Sequence, residues 1–210
     1  MTDQTTHSPV AALVDALSAP SASTRLRAAM AAGTRPDPAL TDELIRRCRI
    51  EPDFFVRDML TWALTRLPAD VTVPRLVVEL NSEIPQARSQ SLHTLSKIGD
   101  RSAWPSISST LLHDTDDEVA RAAWRTAVAL VPDEEVTALA VELARELGRG
   151  HMEVQRSLSR AIVELGDAAL GPLGAARAHP DPVVRIHVAA TERLMEDPDS
   201  DFGAEAGTAC

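Results

Sequence analysis

EPDFFVRDMLTWALTRLP, residues 51–68, sets an Asp at position 53, an Arg at 57 and apolar side chains at Leu60, Leu64 and Leu67. Apolar steps of three, four and three follow the 3.6-residue period of an α-helix with one buried face. An Asp four positions before the Arg stands where its carboxylate can accept a bond from a free first-turn N–H and so cap the helix. DDEVARAAWRTAVALV, residues 116–131, repeats the phrase with Arg121, Trp124, Val128 and Val131.

Working outward, the phrase recurs along the chain. Arg25 is followed by Ala28 and Ala32, Arg88 by Ser91, Leu95 and Ile98, and Gln155, in the Arg slot, by Leu158, Ile162 and Leu165. Arg185 and Val188 close the series, where Glu192 at the next core slot marks its fading. The six slots are 30 to 34 residues apart, the period of a helical repeat. Asp53, Asp117 and Asp181 are the expected N-caps. Prolines and glycines separate each Arg-bearing helix from a second helix, and proline is tolerated at a helix start but not in its interior. Pro38, Pro74, Pro105 and Pro172 are therefore read as starts, and the second helices are expected near 39–49, 74–81, 103–113, 133–147 and 169–178. Residues 71–80 are rich in Val, but Pro74 and the repeat favour helix over strand. Residues 8–19, with Val10, Leu13, Val14 and Leu17, are expected to cap the first repeat.

The phrases at 51–68 and 116–131 resemble HEAT repeats, particularly the short bacterial kind also seen in phycobilisome lyases. The resemblance covers about residues 8–195. It implies an all-α protein, a right-handed α-solenoid of about six hairpins whose Arg-bearing helices line a concave surface. Physics points the same way, since a lone hairpin cannot bury both of its apolar stripes and neighbours can bury them against each other. Residues 1–7 and the acidic stretch 196–210 are expected to be disordered.

The 210 residues carry 21 Lys and Arg against 31 Asp and Glu, a formal net charge of −10. That balance opposes duplex DNA or an anionic membrane and favours a partner protein with a basic surface. A polar N-terminus and the lack of any apolar run of about 18 residues lead to the expectation of a cytoplasmic protein with no membrane contact. Two cysteines, Cys48 and Cys210, form no disulfide framework, and Cys48 inside a helix is expected to be a buried, inert thiol.

Catalytic and cofactor signatures are missing. No glycine-rich phosphate loop occurs, and the six histidines never fall in a metal-binding helical pair. HEAT-like deoxyhypusine hydroxylases hold iron through His-Glu dipeptides, and no His here precedes Glu. HEAT-like alkylpurine DNA glycosylases offer another comparison, with Trp62, Trp124 and Asp58 cast as their aromatic and acidic groups. The acidic clusters 114–118 and 133–135 oppose that reading, and Trp124 occupies a core slot. No cofactor and no enzymatic activity are expected. The recurring Arg is read as a structural pairing between hairpins.

Positions two and five after the Arg slot fall off the buried stripe and are expected to face a groove. They read Arg27, Met59, Gln90, Ala123, Ser157 and His187, then Met30, Trp62, His93, Thr126, Arg160 and Ala190. A tryptophan bounded by Arg, Gln and His is the makeup of an interface anchor or ligand pocket. Phe55, Met59, Trp62 and His93 are the candidate contact patch, with Arg27, Gln90 and Arg160 giving polar specificity. The function expected is a non-enzymatic protein-binding scaffold, with a receptor for a small apolar ligand as the alternative and a nucleic-acid enzyme behind it.

Overall fold

In the computed structural model residues 9–197 are described, and all regular structure among them is helical. They divide into two compact units, one ending at Ser106 and the other beginning at Ile107. The first contains α1 (Pro9–Leu17), α2 (Ala22–Thr34), α3 (Thr41–Ile50), α4 (Phe54–Thr65), α5 (Ala69–Glu79) and α6 (Pro85–Ile98). The second contains α7 (Ser109–Leu112), α8 (Asp117–Leu130), α9 (Val136–Ala144), α10 (Met152–Glu164), α11 (Leu170–Ala176) and α12 (Pro182–Glu196). Within each unit successive helices pair as hairpins, and each Arg-bearing helix packs on the next: α2 on α4 on α6, and α8 on α10 on α12.

The expected stripes are the core. Leu60, Leu64, Leu95, Trp124 and Leu158 are almost wholly buried, each aliphatic one contributing about 2 kcal/mol by removal from water. Trp124 is packed as its core slot implies, and its indole Nε1–H donates to the carbonyl of Leu112 at 2.8 Å. Cys48 is buried, and burial pushes its thiol up to about 12, so it stays protonated.

Several boundaries differ from expectation. Asp53 and Asp181 cap α4 and α12 by accepting from Val56 and Val183, but α8 is capped by Asp116, which accepts from Glu118 and Val119, and not by Asp117. Pro74 lies inside α5, which starts at Ala69, while Pro172 stands in the first turn of α11, two residues after its start at Leu170. The helix expected at 103–113 does not form. A 3-10 turn at Arg101–Ser106 ends the first unit, and α7 begins behind the N-cap Ser108, because Pro105 removes a donor where a continuous helix would need one. Helix α5 is longer than expected, whereas α3, α9 and α11 are shorter, with 3-10 turns at Pro38–Leu40, Asp133–Glu135 and Gly166–Ala169 leading into them. At the far end α12 runs through Glu196 with Asp197 as its C-cap, so the tail starts later than 196. Residues 1–7 and the rest of that tail lie outside the described residues.

At Arg25 the recurring arginine makes the expected pairing between hairpins, with Glu51, but along the series as a whole it has a different partner. It reaches back to the turn that leads into its own helix, where backbone carbonyls are left over. Arg25 donates to Ala19 and Pro20, Arg57 to Glu51 and Pro52, Arg88 to Ser82, and Arg185 to His179 and Pro180. Gln155 substitutes with weaker bonds to Gly148 and Gly150. Arg121 is the exception. Its guanidinium turns to Glu118, its Nε is buried without a bond, and Arg149 from the next hairpin takes the carbonyl of Asp114.

One ion pair is buried deeply. The Glu51 carboxylate accepts two bonds from Arg25, two from Arg47 and one from the Asp53 N–H, and it has no exposed surface. Burial alone would raise its pKa; the bonds from Arg25, the Asp53 N–H and Arg47 outweigh burial and hold it at about 2.

Candidate functional site

Helix α4 presents Phe55, Met59, Trp62 and Arg66 at steps of four, three and four, so they share one face. Met59, Trp62 and His93 line one cavity of about 290 Å³ in the first unit, together with Asp58, Thr61, Thr65 and Lys97. Three of the seven residues read from the sequence as the site are thus brought together by the packing of α4 on α6. Phe55 continues the stripe beyond the cavity. It is 70 % exposed and meets Phe54 edge-on at 5.6 Å. Arg27 is exposed on α2, and Gln90 is half-buried on α6 without lining the cavity. Arg160 lies on α10 of the other unit and is exposed there.

Trp62 is seated by its neighbours. It stays 38 % exposed, while one edge of the ring lies over Gly33 of α2 so closely that a methyl group there would stand 2.2 Å from Cζ3. Only a glycine lets α2 and the indole approach this far. The tryptophan is therefore both wedged between helices and open to the groove. Thr61 forms part of the cavity wall. Buried Thr94, Thr126 and Thr191 each return a hydroxyl to the carbonyl four residues back, but the Thr61 Oγ1 has no bond.

The groove columns do not continue through the second unit as expected. Ala123, Thr126, His187 and Ala190 are buried there. His187 is held by the Gly148 N–H, which donates to Nδ1, while Nε2 lies 3.0 Å from the Gln155 carbonyl and 2.9 Å from Ser159 Oγ. Burial, against the Gln155 bond, brings its pKa down to about 4, and the imidazole is neutral with the proton on Nε2. That tautomer cannot take a proton from Ser159, so the pair is not a nucleophile with its general base. Nor can Trp124 stack on a base, being fully buried.

A second polar cluster, in the second unit, surrounds His113. Its ring nitrogens sit 2.6 Å from Glu146 and 2.9 Å from Glu142, both on the chain following α8, and Arg149 pairs with Glu146 and Asp117. Burial opposes the charge of His113, but the bonds to Glu142 and Glu146 prevail and raise its pKa. Both ring nitrogens then donate, which fastens α7 to α9.

Charge is divided unevenly. Residues 1–106 hold twelve basic and twelve acidic side chains, and residues 107–210 hold nine and nineteen, so the whole excess belongs to the second half. Sequence reading passed over Thr61, Arg66 and Lys97. Arg66 and Lys97 each stand nine residues after the Arg slot, a column whose periodicity was available but whose basic character only matters once α4 and α6 are seen side by side.

No protein-family model matches the chain, and no curated protein matches it. Among the described residues no helix is long and apolar enough to cross a membrane, and no group of three His, Cys, Asp or Glu side chains is disposed to hold a metal ion.

Proposed function

We propose that this chain is a non-enzymatic binding module, a right-handed HEAT-like solenoid of six hairpins that anchors an apolar segment of another protein on the Arg-bearing helices of its first half. The observation that carries the reading is the convergence of Met59, Trp62 and His93 on one cavity, continued by Phe55 along α4. An indole kept partly wet at the centre of such a stripe is the makeup of an interface hot spot. The solenoid reading is supported by the stacking of Arg-bearing helices in both units and by a turn clamp that recurs in both. A cytoplasmic location belongs to the same proposal, and the buried free thiol of Cys48 suits a reducing compartment. The expectation of a basic partner rests on the whole-chain charge, which belongs to residues 107–210 and does not describe this groove.

The test is capture from a source-cell lysate followed by re-measurement of affinity with the identified, purified partner. A folded Trp62→Ala variant is expected to bind it at least tenfold more weakly; equal affinity would refute the groove as the site. The lone Thr61 hydroxyl favours a second reading, a receptor for a small ligand with an apolar body and one hydrogen-bonding group. Quenching of Trp62 fluorescence by a small-molecule extract of the cell, sensitive to Thr61→Val, would select it.

A further inference from the structure

The helices that form this groove are almost free of negative charge. Across α2, α4 and α6 the one carboxylate is Asp58, whereas α8, α10 and α12 carry Asp117, Glu118, Glu153, Glu164, Glu192 and Glu196. Three basic residues stand on the helices of the groove: Arg27 in the second turn of α2, Arg66 at the C-terminal end of α4, and Lys97, which lies in the last turn of α6 and shares the cavity wall with Asp58. All three are exposed, and none makes an ion pair or a side-chain hydrogen bond among the described residues. Of the other cations within these helices, Arg25 is taken by Glu51, and Arg57 and Arg88 by backbone carbonyls.

A cation at a helix C-terminus also complements the macrodipole, which accounts in part for Arg66 and Lys97. Arg27 has no such role. Arg66 and Lys97 moreover occupy the same slot on neighbouring helices, so they sit about one interhelical spacing, roughly 10 Å, apart and flank whatever lies over Trp62. The acidic excess of residues 107–210 opposes an anionic partner only at long range, which salt screens beyond roughly 8 Å at physiological strength.

We infer that the groove takes an acidic amphipathic helix of a partner protein, its apolar side chains at steps of three or four along Phe55, Met59 and Trp62 and its carboxylates against Arg27, Arg66 and Lys97. This rests on the reading of the groove as a protein-binding site and adds the chemistry of the occupant. A helix fits because the stripe has helical spacing and length, and such grooves read partners through anchors at those steps. A lipid surface fits less well, because Trp62 is recessed against Gly33 rather than projecting.

The test is a display selection of random 14-residue peptides on the full-length chain, counter-selected on Trp62→Ala. Enriched peptides are expected to carry net negative charge with apolar residues at helical spacing. The best of them, followed by fluorescence polarisation, is expected to bind Arg66→Glu/Lys97→Glu at least tenfold more weakly, while circular dichroism is unchanged. These two residues are exposed, so the double variant keeps the test alive if Trp62→Ala folds poorly. A basic or neutral enriched set, or charge reversal with less than a twofold effect, would overturn the acidic occupant and leave the groove standing. Peptides that bind folded Trp62→Ala as well as wild type, or no enrichment at all, would remove the groove as well. Trp62-dependent co-sedimentation with phosphatidylserine vesicles, without peptide binding, would assign the surface to lipid instead.

Discussion

At Gly33 a rule of thumb reverses sign. Replacing a glycine inside a helix by alanine ordinarily stabilises by up to about 1 kcal/mol, because alanine loses less backbone freedom on folding. Here the added Cβ would lie 2.2 Å from one Trp62 ring carbon and 2.4 Å from the next. The indole or α2 must move, and overpacking of this kind costs about 1–3 kcal/mol. Gly33→Ala is therefore expected to lower thermal stability and to shift Trp62 emission, and Gly33→Ala/Trp62→Ala to be no less stable than Trp62→Ala alone. A stabilising Gly33→Ala would mean that the ring is free to swing away. Glu51 makes the matching case for a charge. Removing Arg25 leaves a fully buried carboxylate with less than its full set of donors, and breaking a buried pair costs about 3–5 kcal/mol. Arg25→Met is expected to fall in that range by urea denaturation, with Arg47 and the Asp53 N–H holding the loss towards its lower end.

Among the elements, the Arg-bearing helices do most to set the architecture, and all but α8 tie down their own entry turn. Arg185 is exposed, so its two carbonyl bonds compete with water, and Arg185→Ala is expected to cost about 1 kcal/mol and to raise hydrogen exchange first in the 177–182 turn. Pro74 offers the opposite sign. It lies in the interior of α5 without an N–H to give, and Pro74→Ala is expected to stabilise by roughly 1–3 kcal/mol in the same assay. These two residues also show what a sequence can reveal. The Arg-bearing helices were legible because the stripe recurs in all six, reinforced by an acidic cap at α4, α8 and α12 and by a Gly or Pro after the first five. Their partner helices were less so, because Pro74 has the look of a start but sits inside α5, where tertiary packing overrides propensity, and 3-10 turns rather than α-helix open the segments of α3, α9 and α11. The site was half legible for a related reason. Columns two and five are fixed by helical period, but whether they stay open depends on the neighbouring helix. Met59, Trp62 and His93 hold α6 off far enough to leave a cavity, while Ala123, Thr126 and Ala190 are small enough to be covered.

Over the molecule as a whole, the two units should respond to pH differently, because the strongly shifted groups are distributed between them. In the second unit His187 is neutral with a pKa of about 4, so the unfolded chain binds a proton below about 6.5 that the folded chain refuses. Its effect is to remove stability as pH falls from about 6.5 to 4, on the order of 3 kcal/mol by the lower limit. His113 acts in the other direction. Its raised pKa gives stability that is complete below the ordinary histidine value and is lost as pH climbs through the folded one. In the first unit two groups are strongly shifted: Glu51, held at about 2, whose contribution persists above about 4.5 and declines only in stronger acid, and the buried Cys48 thiol, pushed up to about 12, which costs stability only as pH rises through the ordinary thiol range of about 8.5–9. Protection from hydrogen exchange, corrected for intrinsic rate, should therefore peak near neutrality in α8–α12 and stay level from about pH 5 to 8 in α2–α6, falling above that as the unfolded chain ionises Cys48. His187→Gln is expected to flatten the acid limb of that peak and His113→Gln the alkaline limb, each leaving the other in place. If α2–α6 lost protection in step with α8–α12 across the same range, the titration would be reporting one cooperative body, and the separate stabilities argued for the two units would be wrong.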